Sequence, residues 1–166
     1  MYNFAKIFFS IIITVILIIA TGCYSFTGSS VPPHLKTVAI PLFEDVSGFG
    51  EPGMREKITR KLIDVFVNDN SLEIGERTTA NSILEGSVTT ITDAPLVIGG
   101  GDVVKTRKVT ITVHATFTDM KFRKKLWEKD FSNYGQYEQG QARTAAIDDA
   151  ISKVSEDILL ETVSGW

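Results

Sequence analysis

The chain has 166 residues, 43% apolar and 22% charged, with a formal net charge of −3 and one cysteine. That length suits one domain, and an ordinary apolar share with 13 Gly and 5 Pro excludes disordered and collagen-like classes. A single cysteine excludes an internal disulfide framework, a CxxC redox pair and a cysteine-based zinc site. The acidic balance argues against a general nucleic-acid binder, which carries a basic footprint.

Met1–Lys6 holds one lysine and no acid, and residues 7–20 then run without a charge. That run is shorter than the roughly 20 residues a membrane span needs. It has the length of a signal-peptide core, with the positive charge on the correct side. Ala20, Thr21 and Gly22 then lead into Cys23. The arrangement resembles a bacterial lipobox, with Ala20 where leucine is usual. The resemblance implies that residues 1–22 are a lipoprotein signal peptide and that Cys23 is acylated. Several acyl chains, at about 0.8 kcal/mol per buried CH₂, hold a domain on a membrane far better than one chain. Tyr24 stands where, in well-studied Gram-negative bacteria, an aspartate retains lipoproteins in the inner membrane. By analogy its presence implies outer-membrane sorting.

Residues 23–35 contain Gly28, Ser29, Ser30, Pro32 and Pro33 and read as a tether. The remaining residues, 36–166, form one domain. Thr37–Leu42 alternates Val38, Ile40 and Leu42 with Thr37, Ala39 and Pro41, a half-buried strand with Pro41 at its edge or exit. Glu44–Glu51 reads as a loop. Met54, Ile58, Leu62 and Phe66 recur every fourth residue, so Gly53–Asn68 is expected as an amphipathic helix. Leu72–Glu76 is a weak strand, and Ile83–Thr92 a stronger one interrupted by Gly86. Ala94–Asp102, with Pro95 and three consecutive glycines, is expected to be a hairpin loop.

Val103–Thr118 has the clearest alternation. Val109, Ile111, Val113, Ala115 and Phe117 share one face, and Lys108, Thr110, Thr112, His114 and Thr116 the other. A charged turn, Lys121–Lys125, precedes a strand over Leu126–Phe131 and a polar loop over Gly135–Gly140. Thr144–Val163 is the second helix, with Ile147, Ile151, Val154 and Ile158 on its stripe. The expected fold is α+β: two helices packed on one face of a small mixed, mostly antiparallel sheet of four to five strands.

Catalysis needs a base, a nucleophile or a metal in a workable constellation. The two histidines, His34 in the tether and His114 on the polar strand face, are accompanied by no metal-ligand spacing. Neighbouring carboxylates at Glu44–Asp45 and Asp148–Asp149 point apart in regular structure and make no shared-proton pair. The Gly99–Gly101 run lacks the lysine and helix of a phosphate loop. No enzyme activity and no cofactor are expected beyond the lipid on Cys23. Two basic groups remain. Lys105, Arg107 and Lys108 flank the glycine hairpin, and Lys121, Arg123, Lys124 and Lys125 form the next turn. A single strand between them sets them at most about 45 Å apart, as two patches. Each reads either as solvated turn charge or as a binder of phosphate and carboxylate headgroups.

Cys23-Tyr24-Ser25-Phe26, Gly28, Pro32-Pro33, the stretch Lys36–Glu44 (KTVAIPLFE) and Phe49–Gly53 carry a family likeness. Ile83–Gly86, the strand Val109–Phe117 and Leu126-Trp127-Glu128 extend it over nearly all of residues 23–166. The chain resembles the LptE-type lipopolysaccharide-assembly lipoproteins, nearest to their Bacteroidetes and Chlorobi branch. The resemblance implies two helices on a small mixed sheet. It also implies a place inside the lumen of the large outer-membrane β-barrel LptD, with lipopolysaccharide (LPS) as the transported partner. A Thr-rich strand face suits that setting, since such lumens are polar. Lys105, Arg107, Lys108, Lys121, Arg123, Lys124 and Lys125 are the candidate LPS-binding residues, chosen on charge. VAIPLFED followed by an amphipathic helix also resembles lipoproteins that activate peptidoglycan synthases and those of curli secretion. A tether spanning at most about 40 Å favours a partner at the outer membrane itself.

Overall fold

The computed structural model describes residues 31–98 and 104–164. The signal peptide, Cys23, most of the tether and Gly99–Gly101 lie outside the described residues. Six strands and two helices follow in the order β1 (Thr37–Ala39), β2 (Glu44–Asp45), α1 (Met54–Asp69), β3 (Glu73–Ile74), β4 (Ser82–Ile98), β5 (Val104–Asp119), β6 (Lys124–Glu138) and α2 (Thr144–Ser164). They form one mixed open sheet in the order β3-β1-β4-β5-β6, with β2 also paired to β4. The long β4–β5 and β5–β6 ladders are antiparallel, and the short pairings of β1 with β3 and β4, and of β2 with β4, are parallel. The α+β architecture is as expected, with one or two strands more.

The extra strand and the shifted boundaries have local causes. Pro41 has no amide proton to give a ladder, so β1 stops at Ala39, and Leu42 is exposed. Glu44–Asp45, expected in a loop, forms β2 by pairing with Ser87 and Val88 of β4. β4 runs on through Ala94 and Pro95 to Ile98, where a loop was expected. Pro95 is tolerated because it sits beside a register irregularity. The turn between β5 and β6 is correspondingly tighter, Met120–Arg123. β6 continues to Glu138, through most of the stretch expected to be a polar loop.

Gly135, expected in that loop, instead occupies β6, and Ala146 of α2 lies directly on it. A Cβ there would stand 2.0 Å from the Ala146 carbonyl oxygen. Gly86 plays the same part in β4: its missing side chain makes room for the Phe43 ring, 2.6 Å from an added Cβ, and the His114 carbonyl, 2.3 Å away.

Both helices feed a shared core with one face of the sheet. Met54, Ile58, Leu62 and Phe66 of α1 join Ile147, Ile151, Val154 and Ile158 of α2, over Val109, Ile111, Val113, Ala115 and Phe117 of β5. Burying each of the large side chains contributes roughly 1.5–3 kcal/mol. Thr59 fastens the β1–β2 connection to α1, its hydroxyl accepting the buried Phe43 amide at 2.9 Å and donating to the Arg55 carbonyl at 2.7 Å. At the end of α1, Asn70 adopts a left-handed conformation (φ 58°), and its amide reaches back to the Phe66 carbonyl, the usual way to close a helix. Among the described residues no helix is long and apolar enough to cross a membrane.

Candidate functional site

The two basic groups do lie at opposite ends of β5, and their surroundings differ. Lys105 falls within β5 by its backbone. Arg107 is turned to its own molecule. Its Nε donates to Asp93 Oδ1 at 2.8 Å and lies 3.0 Å from the Tyr137 hydroxyl, and its Nη2 donates to the Asp93 carbonyl at 3.2 Å. The Tyr137 hydroxyl in turn donates to Asp93 Oδ2 at 2.6 Å. These bonds, Asp93 first and Tyr137 next, hold Arg107 still further toward its charged form. Burial and the Asp93 hydrogen bond raise the Tyr137 pKa, against the opposing pull of Arg107. Lys108 lies on the other face of β5, its Nζ 5.5 Å from the Tyr134 ring centre. Lys153 of α2 reaches the same ring at 5.7 Å and donates to the Tyr134 carbonyl at 3.1 Å.

The second group crowns the β5–β6 turn, which Asp119 builds. This carboxylate, only 2% exposed as a residue, accepts the Lys121 and Phe122 amides on Oδ1 at 2.8 and 3.0 Å. Its Oδ2 meets His34 Nε2 at 2.5 Å. Burial works to raise the Asp119 pKa, but the His34 hydrogen bond, the two amides and the His34 charge outweigh it and lower the pKa. Arg123 takes a left-handed conformation (φ 51°), as the last residue of such a turn commonly does. Lys121, Arg123, Lys124 and Lys125 are all exposed. Lys125 pairs with Glu128, whereas Arg123 and Lys124 have no ion-pair partner among the described residues.

Between these ends lies the sheet face turned away from the helices. Thr110, Thr112, His114 and Thr116 of β5 stand beside Tyr134, Ser132, Asp130 and Glu128 of β6, and apart from Lys153 at the Tyr134 edge no described element covers them. His114 Nδ1 contacts Asp130 at 2.7 Å and Nε2 contacts Glu128 at 3.1 Å. The hydrogen bond to Asp130, then that to Glu128, raises the His114 pKa. Lys125 first, and then His114, lower that of Glu128. The arrangement is an ion-paired surface, and among the described residues no group of three or more His, Cys, Asp or Glu is placed to hold a metal ion.

Three features escaped the sequence reading. His34 belongs to the folded body, joined to Asp119, and Leu35 after it is buried. Asp93 and Tyr137 lock Arg107. A shallow groove of about 300 Å³ between the helices is lined by Lys57, Arg60, Lys61, Asp64, Asp148, Ile151 and Ser152. There Lys57 bridges Glu51 and Asp148 at 3.7 and 3.5 Å. No sequence signal marks any of these, because most of the partners are separated by 14 to 91 positions and no repeat connects them.

The fold and its surfaces define a small α+β domain of the kind found in bacterial lipoproteins. Rare lipoprotein B from Shewanella oneidensis superposes with a TM-score of 0.52 at 12% identity, over 78% of this chain and 96% of that one. A lipoprotein B from Nitrosomonas europaea gives 0.54 at 14% identity, over 83% and 87%. A protein from Xanthomonas campestris gives 0.57 at 11%, over 81% and 91%. At these identities the likeness is one of fold. The family described as LptE, lipopolysaccharide-assembly, matches residues 35–162, and the chain belongs to it. Among curated proteins no match to the chain is found.

Proposed function

We propose that this protein is an outer-membrane lipoprotein, anchored through Cys23, that sits in the lumen of an LptD-like β-barrel. There it supports barrel assembly and assists LPS insertion into the outer leaflet. The observation that carries this reading is the family match over residues 35–162. The uncovered polar face of β5 and β6 supports it, because a barrel lumen is polar and would receive Thr, Ser and ion-paired side chains without stranding apolar surface. The role is one of binding and assembly, not catalysis. Lys105, Lys108, Lys121, Arg123, Lys124 and Lys125 are the cations proposed to meet LPS phosphates and carboxylates. Arg107 is proposed to act with them by holding β4, β5 and β6 together at that end of the sheet.

Affinity capture from detergent-solubilised outer membranes tests the reading, using C-terminally tagged wild type beside Cys23→Ala. Near-stoichiometric recovery of a large β-barrel with wild type is the expected outcome. Recovery of a peptidoglycan synthase without a barrel would overturn it in favour of a synthase activator.

A further inference from the structure

The β5–β6 turn carries, beside its cations, two exposed apolar side chains that the lumen role leaves unused. Phe122 is 63% exposed and Met120 40%, an unusual display of large apolar side chains at the tip of a hairpin. Around them stand Lys121, Arg123, Lys124 and Lys125. Asp119, the carboxylate within the turn, is turned inward to His34 and the turn amides. The tip therefore presents two apolar side chains beside four exposed cations, of which Lys125 also pairs with Glu128. The same Asp119 fixes where the chain enters the domain, because its other oxygen holds His34, whose ring packs edge-on against Phe122 at 5.1 Å. His34 lies eleven positions after Cys23, so the lipid-bearing residue lies at most about 40 Å from this turn. The Tyr137 end of the sheet is a further strand length away.

We propose that, in the membrane-anchored protein before a barrel surrounds it, the Met120–Lys125 turn is a second membrane contact, seating Phe122 and Met120 at the headgroup–acyl boundary of a leaflet bearing anionic phospholipids. The proposal rests on the reading of Cys23 as acylated. Phenylalanine and methionine supply the apolar contact, and the four cations the attraction to lipid phosphates, which is worth roughly fivefold in partitioning per basic residue near an anionic surface. An acylated cysteine already keeps the domain on the membrane. What the turn adds is orientation: with tether entry and turn joined through Asp119, the β5–β6 axis points away from the leaflet.

The test uses the mature lipoprotein purified from membranes, carrying Phe122→Cys or, as a control just past the far end of β6, Gln139→Cys. Because Cys23 is the only native cysteine, one thiol per chain takes up an environment-sensitive fluorophore if the anchor is acylated. The proteins are reconstituted into vesicles of phosphatidylglycerol and phosphatidylethanolamine, or of phosphatidylcholine alone, with nitroxide-bearing lipid as quencher. Expected are blue-shifted emission and strong quenching at position 122 in anionic vesicles, and neither at position 139. Adding Lys121→Glu, Arg123→Glu and Lys124→Glu should abolish the signal at position 122. Emission typical of water at both positions, with one thiol labelled, would overturn the turn contact and leave the anchor standing. Two labelled thiols per chain would remove the acylated anchor and the proposal with it. Neither result bears on whether the protein captures a barrel.

Discussion

Asp119, the last residue of β5, joins two separate stretches of chain through one buried carboxylate: the residues entering β1 and the β5–β6 turn. Its depressed pKa is a stability statement. The contribution is present above the unfolded carboxylate value of about 3.9 and is lost as pH falls through the lower folded value. Asp119→Asn keeps the shape but not the charge facing His34. It should cost about 1.5–3 kcal/mol at neutral pH, the range for hydrogen bonds to a charged group. In chemical denaturation the difference from wild type should vanish under acid conditions. A cost independent of pH would refute the assignment. His114 behaves with the opposite sign, because its pKa is raised. Whatever stability its ion pairs contribute is complete below about 6.5 and fades as pH rises through the folded value. An NMR titration should place the His114 transition above that of a free histidine, and Asp130→Asn should bring it down.

At the scale of elements, the two long antiparallel ladders and the α2 packing on β6 depend on glycines that admit backbone where side chains would stand. Gly135→Ala sets a methyl group against the Ala146 carbonyl, and neither is the end of a flexible side chain that could swing aside. Overpacking of this kind costs about 1–3 kcal/mol, and the backbone contact puts Gly135→Ala at the upper end of that range. Thermal unfolding would measure it, and Gln136→Ala, exposed on the neighbouring position, should change stability by less than about 0.5 kcal/mol. Both helices and the core face of β5 were legible in the sequence, since their apolar residues repeat every three to four or every two positions. The extension of β6 was not. Its residues from Ser132 to Glu138 are mostly polar and include Gly135, which reads as a turn until a helix is known to lie on it.

For the whole molecule, the open sheet face offers a test of which surface meets a partner. Thr110→Lys with Thr116→Lys alters side chains that no described element covers, so the unfolding transition should move by no more than about 0.5 kcal/mol. If this face lies against a barrel wall, recovery of the barrel in affinity capture should fall sharply. Unchanged recovery would move the interface to the helical side, where Lys57, Arg60 and Lys61 line the groove.

The sequence by itself determined the layer arrangement and the family. Periodicity assigns each apolar residue to a face, and two amphipathic helices with a one-sided sheet have few ways to bury those faces together. The basic residues were equally visible as charges. Only the tertiary structure decided what each charge does: Arg107 is turned onto Asp93 and Tyr137, Lys125 pairs with Glu128 while staying exposed, and Arg123 and Lys124 face outward. It also drew His34 out of the tether and onto Asp119, 85 positions away. The physical reason is range. Side-chain pattern reports how a segment meets an apolar interior in general, whereas ion pairs and close backbone contacts depend on which distant segments arrive, and that is settled only when the sheet order and strand registers are formed.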